Sequence, residues 1–301
     1  MIFFLARLLP ALSLSLLLLP PLGDPDTWFH LDMGRWMLEH GTFYQVENRS
    51  FTALGQPVLN SSWLFQLLLA IVYRLGDLPG LLIFQVVLFM LPFFLLSTVV
   101  VRDKQDFLPY MLALLLLAPI VENHYTLRPH LTEYLGLAIL LVTFYTPTRP
   151  GKWLVMALTL WFWSNTHASA LVGAGMAALH IMLDEEPRHV WPRHGQRLLL
   201  AGMLCLIPLC TPMGGDLLNF FINAQDNVRH LAISEWRKPD LFPGFLFLLF
   251  LGYLYALLRK SYPFRAAELA LVLFYFYLSG HHVRFTNELT LVLTMPLIHF
   301  L

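Results

Sequence analysis

Charged residues are scarce in this sequence. Asp, Glu, Lys and Arg make up 13% of its 301 residues, whereas soluble domains carry about 25%. With so few charges, a water-soluble protein could not cover its own surface. Residues 80–101, "GLLIFQVVLFMLPFFLLSTVVV", form a long uncharged run, and about 20 apolar residues cross a bilayer as a helix. The composition therefore predicts an all-α polytopic membrane protein.

Cysteine and net charge are also low, and each absence excludes a class of protein. The two cysteines, Cys205 and Cys210, lie in one apolar run without metal-ligand spacing. This excludes a disulfide framework and a zinc site, and we expect both thiols to pack among apolar side chains. The formal net charge is zero, so nothing in the composition points to a nucleic-acid partner.

Apolar runs separated by polar, proline and glycine positions predict about ten spans. Their predicted bounds are residues 3–22, 80–101, 107–121, 131–147, 152–164, 169–183, 198–213, 241–258, 266–280 and 286–301. The first run is long and lacks an A-x-A site, which favours a retained span over a cleaved signal peptide. Lys and Arg concentrate in the short loops of one side, which predicts cytoplasmic termini. We therefore expect residues 1–301 to form a single transmembrane domain.

Acidic residues and histidines concentrate on the opposite, extracytoplasmic side of this topology. The first extracytoplasmic loop, residues 23–79, is predicted to hold two amphipathic interfacial helices. In "GDPDTWFHLDMGRWMLEHG", Asp24 is placed as N-cap, Pro25 as first helical residue and Gly41 as C-terminal cap. The second helix, residues 61–76, is too short to span a bilayer. The predicted apolar stripe of the first helix is Phe29, Met33, Trp36, Met37 and His40.

Asp26 and His30 are the first candidates for chemistry. They lie one helical turn apart and face the same way. Such a pair could share a proton, hold a metal or orient one another. The structural alternative is that Asp24 only caps the helix and that Arg35 pairs with Asp32 and Glu39 at helical spacing.

Each outer loop adds a polar cluster beside the end of a span. The clusters are Glu122, His124, Arg128, His130 and Glu133; Asn165 and His167; Arg229, His230, Glu235, Trp236 and Arg237; and His281, His282, Arg284 and Glu288. Charged groups near lipid are costly and face the bundle interior or a water-filled cavity. Alternatively, each charged side chain extends to the membrane surface or forms an ion pair that only stabilises the fold. The convergence of several such clusters favours one shared cavity.

Arginine, carboxylate and histidine together suggest a reaction. Arginines bind phosphate through their forked donors, and a carboxylate can deprotonate an incoming hydroxyl. Apolar interfacial helices could steer a lipid tail. This combination suits transfer from a lipid-linked phosphate donor to an acceptor on the outer face.

Five stretches carry a resemblance to a known family. They are "GDPDTWFHLDMGRWMLEHG", "SFTALGQPVLNSSWL", "LRPHLTEY", "WSNTHASALVG" and "ISEWRKPD". In this order, over about residues 1–290, the chain resembles membrane glycosyltransferases of the GT-C superfamily. More closely, it is similar to largely uncharacterised bacterial members related to dolichyl-phosphate-mannose mannosyltransferases. The resemblance implies a GT-C-like bundle in a bacterial inner (cytoplasmic) membrane.

The resemblance also implies roles for individual residues. Asp24 or Asp26 would be the catalytic base, with Asp26 preferred because of its partner His30. Arg128 and Arg284 would hold the phosphate of a polyprenyl-phosphate sugar donor, and His130 and His167 would line the pocket. No cofactor is certain, and a divalent metal remains an option. Many family members run on past the position of Leu301, so an acceptor-recognition module is expected to be missing or supplied by a partner, or the activity to be lost.

Two further functions stay open at this point. A non-catalytic GT-C-like membrane subunit would keep the fold and use its outer face to bind a partner protein or membrane lipid. A transporter fits less well, because transporters often show internal repeats and midplane charges, whereas the polar groups here collect at one membrane edge.

Overall fold

The computed structural model describes residues 2–121, 125–147, 151–183, 194–229 and 244–300. Within these ranges the regular structure is α-helical apart from short 3₁₀ turns and one isolated β-bridge. The helices are α1 Ile2–Leu17, α2 Pro25–His40, α3 Trp63–Val100, α4 Phe107–Val121, α5 His130–Tyr145, α6 Lys152–Thr166, α7 Ala170–Leu183, α8 His194–Leu206, α9 Asp216–Arg229, α10 Gly244–Leu258, α11 Ala266–His281 and α12 Thr286–Phe300. Of the outer-loop candidates, Glu122, His124, His230, Glu235, Trp236 and Arg237 lie outside the described residues.

The all-α prediction is confirmed, and each predicted apolar run overlaps a helix. Among the described residues, α3 alone combines high apolarity with a length sufficient to cross a membrane. The other apolar helices, among them α5, α7 and α11, are shorter than 18 residues. No helix is predicted between residues 213 and 241, yet α9 begins at Asp216.

Local capping explains where α2 begins and ends. The Asp24 side chain accepts the Asp26 backbone N–H at 2.9 Å, Pro25 opens the helix, and Gly41 ends it with a positive φ of 65°. The structure therefore confirms the predicted caps. Proline suits the first helical turn, and glycine adopts the left-handed conformation without a Cβ clash.

The buried face of α2 differs from the predicted stripe. Met33 and Met37 are buried as expected, whereas Phe29 is 50% exposed. The remaining buried positions are Thr27, Leu31 and Gly34. Gly34 packs so tightly on α3 that an added Cβ would collide with the Gln66 carbonyl. The buried face is rotated relative to the predicted stripe because α2 packs against the backbone of α3. The periodicity of the α2 sequence alone does not predict this contact.

A bend divides α3 near its first third. Asp77 has φ 51° and ψ −146°, outside the helical region, and Pro79 follows within the helix. Proline cannot donate a backbone hydrogen bond and clashes with the preceding turn. The bend lies where the predicted interfacial helix, residues 61–76, gives way to the predicted span from residue 80. The two segments are therefore distinct helices joined end to end.

The polar loop between α2 and α3 is tied to α2 by an ion pair. Arg49 Nε lies 3.3 Å from a carboxylate oxygen of Asp32, and Val46 bridges Pro57 in antiparallel fashion. Arg35 places its guanidinium 5.9 Å from the Tyr73 ring centroid. The predicted pairing of Arg35 with Asp32 is therefore wrong, because Asp32 is bound by a residue of the following loop.

Close helix packing in the bundle centres on Trp163. This residue of α6 is fully buried, and its indole lies against Gly136 of α5 and Gly173 of α7. Neither glycine has room for a Cβ. Small residues that let helix backbones approach closely are typical of packing inside membranes. The three helices are thereby locked together next to the polar residues at the end of α6.

Buried polar contacts concentrate at the two ends of the bundle. At one end Arg7 Nη2 donates to the Val101 carbonyl at 2.6 Å, and Tyr145 hydrogen-bonds both Tyr262 and Glu268. The other end holds the start of α5, the end of α6 and the start of α12. That end contains every candidate site residue that the resemblance implies and is described next.

Candidate active site

Arg128 connects the start of α2 to the start of α5. Its Nε and Nη2 donate to the two carboxylate oxygens of Asp24 at 2.6 and 2.9 Å. Its Nη1 lies 3.2 Å from Asp26. Thr27 adds a hydrogen bond from its hydroxyl to the Leu127 carbonyl at 3.1 Å. A forked guanidinium–carboxylate contact is strong and directional. Arg128 therefore holds Asp24 and Asp26 close together.

Asp24 is the more constrained of the two aspartates. Its side chain is 10% exposed, whereas the Asp26 side chain is 56% exposed. Burial raises the pKa of Asp24, but the hydrogen bonds from Arg128 and the Asp26 N–H and the Arg128 charge outweigh it, so the pKa lies below its ordinary value. Asp24 is therefore a capping and ion-pairing carboxylate, and Asp26 is the carboxylate that is accessible from solvent.

The predicted pairing of Asp26 with His30 is replaced by two other contacts. Asp26 pairs with Arg128, and His30 Nδ1 lies 3.2 Å from the side-chain nitrogen of Gln66 on α3. The rotation of α2 toward α3 accounts for the change, because it directs His30 to α3 while Asp26 stays near α5.

His30 is held in a neutral form by this arrangement. Asn60 donates to Gln66 Oε1 at 2.7 Å, which leaves the Gln66 amide nitrogen to donate to His30 Nδ1. Burial lowers the pKa of His30 to about 4, and the charge of Arg128 lowers it further than the Asp24 charge restores it. His30 therefore accepts a hydrogen bond on Nδ1 and presents a protonated Nε2.

A second group of polar residues surrounds His167, which directly follows α6. Arg284 Nη2 lies 3.1 Å from its Nε2, Ser169 Oγ lies 2.6 Å from its Nδ1, and a carboxylate oxygen of Glu133 lies 3.2 Å from Nδ1. Burial and the positive charge of Arg284 lower the pKa of His167 well below its ordinary value. Residues from the starts of α5 and α12 thus meet at one imidazole.

The two groups lie beside each other. His30 and His130 are close enough to act electrostatically on His167, and His130 packs edge-on against Tyr134 with ring centroids 5.5 Å apart. Trp63 Nε1 donates to Asn165 at 2.8 Å, and Thr132 donates to Thr166 at 2.8 Å. The predicted candidates, Asp24, Asp26, His30, Arg128, His130, His167 and Arg284, therefore share one end of the bundle.

Several contributors to this site were not predicted, among them Asn60, Gln66 and Ser169. Gln66 is an isolated polar residue within the apolar stretch "WLFQLLLAIVY", and it is buried in the structure. A lone buried amide needs hydrogen-bond partners, so that interruption was an available signal. Ser169 gave none, because a serine two residues after a histidine is common.

The arrangement offers general-base and anion-binding chemistry. In the described part of the chain, no group of three or more His, Cys, Asp and Glu residues is placed to hold a metal ion. Comparison with protein-family models, curated proteins and solved structures found no match to this chain. The chemistry of the site is therefore argued from its own geometry.

The lowered pKa of His30 predicts a pH dependence of stability. Unfolding restores the ordinary value of 6.5, so between pH 6.5 and about 4 the unfolded chain binds a proton that the folded chain does not. The contribution of His30 to the free energy of unfolding should be complete above pH 6.5. It should decrease as the pH falls, by at most about 1.4 kcal/mol per pH unit. We expect His30→Gln to reduce the dependence of Tm on pH across this window.

His40→Gln is the matched control, because His40 is exposed at the end of the same helix, where Nδ1 bonds the Trp36 carbonyl at 2.8 Å. Thermal unfolding in detergent from pH 4 to 7 provides the measurement. Parallel Tm–pH curves for wild type and His30→Gln would contradict the assignment.

Proposed function

We propose that the chain is a polytopic membrane protein with about ten spans, both termini in the cytoplasm and the candidate site at the extracytoplasmic edge of a bacterial inner membrane. Apolar side chains on the outside of the bundle support this arrangement. Leu115, Leu158, Leu199 and Leu248, on four different helices, are each more than half exposed. Apolar surface on so many helices is unfavourable in water and is accounted for by lipid contact.

Cysteine accessibility tests this topology. Thr52, in the loop after α2, and Lys104, between α3 and α4, are both exposed. In a variant whose native Cys205 and Cys210 are replaced, Thr52→Cys should react with a membrane-impermeant maleimide in intact cells. Lys104→Cys should react only after permeabilisation. The reverse pattern, or labelling of both sites in intact cells, would contradict the proposed orientation.

The proposed activity is transfer of a sugar from a polyprenyl-phosphate donor to a hydroxyl acceptor on the extracytoplasmic face. The observation that carries it is the exposed carboxylate of Asp26, 3.2 Å from the guanidinium of Arg128, at the end of the bundle that also holds Arg284. A carboxylate in reach of solvent suits general-base catalysis. Guanidinium groups suit a phosphate leaving group, since they offer forked donors and permanent charge.

Each residue has a role in this reaction. Asp26 removes the proton of the acceptor hydroxyl. At the same time, the oxygen of that hydroxyl forms a bond to the anomeric carbon of the sugar. The bond from that carbon to the phosphate oxygen breaks, and the polyprenyl phosphate leaves with the electron pair. Arg284 and Arg128 bind the phosphate and stabilise the charge it gains. His30, His130 and His167 line the pocket around the sugar.

Replacing Asp26 tests the catalytic assignment. Since a positioned base contributes about 10²–10⁴-fold to the rate, Asp26→Asn should lower sugar transfer in proteoliposomes by at least about a hundredfold, with little change in Tm. Asp32→Asn is the matched control, because Asp32 is also an aspartate of α2, its side chain is about half exposed, and it pairs with Arg49 rather than Arg128. Wild-type turnover in the Asp26→Asn protein would remove the proposed role.

The second candidate function is a non-catalytic subunit that binds a partner protein or lipid. It is favoured by the contacts of Arg128, which already binds both aspartates at 2.6 to 3.2 Å. In that case the ion-pair network serves only to build the outer surface. Copurification of a stoichiometric membrane partner, together with unchanged surface glycans in Asp26→Asn cells, would favour this function over transfer.

A further inference from the structure

The hydrogen-bond partners of His167 determine which ring nitrogen carries its proton. A guanidinium donates hydrogen bonds and cannot accept them. Arg284 Nη2 lies 3.1 Å from His167 Nε2, so Nε2 must be the accepting, unprotonated nitrogen. The proton of the neutral ring then resides on Nδ1. Two acceptors are available to it, Ser169 Oγ at 2.6 Å and Glu133 at 3.2 Å, and both lie nearer to Nδ1 than the Ser169 backbone nitrogen at 3.4 Å.

Ser169 is itself oriented by a further donor. Trp163 Nε1 donates to Ser169 Oγ at 3.0 Å, and the hydroxyl also hydrogen-bonds Glu133. The indole of Trp163 is fixed between helices α5 and α7, as described above. The hydroxyl is thereby turned so that its lone pairs face the indole and the imidazole while its proton faces the carboxylate.

The charged groups around His167 come from several elements. The Glu133 side chain is 2% exposed, and Glu133, Arg284 and Glu288 interact electrostatically. His30 and His130 face His167 from α2 and α5. A buried carboxylate requires a compensating charge or hydrogen bonds, and Glu133 obtains both from Arg284, Ser169 and His167. The carboxylate is thus an integral part of the polar network.

We propose that Glu133 and Ser169 are positioning residues that hold His167 as the Nδ1–H tautomer, so that its Nε2 orients the guanidinium of Arg284. This orientation of Arg284 does not depend on the proposed reaction. The further step, that Arg284 binds a lipid phosphate, rests on the proposed function. A guanidinium has five N–H donors, and the contact with His167 employs one nitrogen. A guanidinium that is already held in one orientation loses less conformational entropy when it binds a phosphate.

The tautomer is measured by nitrogen-15 NMR of histidine-labelled full-length protein in nanodiscs. The His167 signals are identified by their loss in His167→Gln. At neutral pH we expect His167 to be neutral and protonated on Nδ1 in wild type. Glu133→Gln should keep this tautomer, because its amide oxygen still accepts. Glu133→Leu combined with Ser169→Ala removes both acceptors and should shift the ring toward the Nε2–H form.

Ser279→Ala is the matched control, since Ser279 is also a buried serine and bonds only the local Phe276 carbonyl at 3.0 Å. If the double variant does not fold, the single variants Glu133→Leu and Ser169→Ala carry the test. Each should move the His167 nitrogen shifts more than Ser279→Ala does. An Nε2–H or doubly protonated ring in wild type, or shifts in the acceptor variants no larger than in the control, would overturn the proposal.

A binding measurement separates this proposal from the proposed function. Polyprenyl phosphate in phosphatidylcholine nanodiscs is the probe, and its affinity should fall about tenfold in Glu133→Leu, as expected for one lost oriented hydrogen bond to a charged group. Glu133→Gln should retain most of the affinity. Loss of binding in Arg284→Gln with unchanged binding in Glu133→Leu would overturn the positioning role alone. Absence of binding by wild type, with the predicted tautomer intact, would count against the donor class and leave the positioning role supported.

Discussion

The guanidinium of Arg128 is the contact on which the site depends. It bridges the Asp24 carboxylate, which caps α2, and the Asp26 carboxylate in the first turn of that helix, and Arg128 lies two residues before α5. These groups are separated by about a hundred residues in the sequence. The hydrogen bond from the Thr27 hydroxyl to the Leu127 carbonyl adds to this contact at the first turn of α2. The positions of His30 and Asp26 follow from the way α2 is held.

The two ends of the bundle use polar groups differently. At the Arg7 end, Arg265 stacks over Tyr145 with its guanidinium carbon 4.0 Å from the ring centroid, and Glu268 is 1% exposed. The acid there is enclosed by aromatic side chains. At the Arg128 end, the carboxylate of Asp26 is open to solvent and pairs with Arg128. Both ends hold buried polar groups, and the Arg128 end combines them with an accessible acid, the group that the proposed function uses.

Local sequence signals predicted the features that local physics determines. The cap residues Asp24 and Gly41, the apolar runs and the break after Gly76 each depend on a few neighbouring residues, and the structure agrees with them. The buried face of α2 and the partner of His30 depend on how α2 rotates against α3. That rotation is set by the contact of Gly34 with the Gln66 carbonyl, which involves residues far apart in the chain. The helix α9 was not predicted, because its apolar residues form short groups separated by polar ones. A search for long apolar runs takes such a sequence for a polar loop.

The central claim is that Asp24 and Arg128 are energetically coupled and so hold α2 against the rest of the bundle. A double-mutant cycle of Asp24→Asn, Arg128→Gln and the double variant, measured as free energies of unfolding in detergent, tests it most directly. Contacting charged residues show coupling energies of about 0.5–3 kcal/mol, and a forked, partly buried pair should lie in the upper half of that range. Additive effects of the two substitutions would contradict the account, since the residues would then not act as one contact.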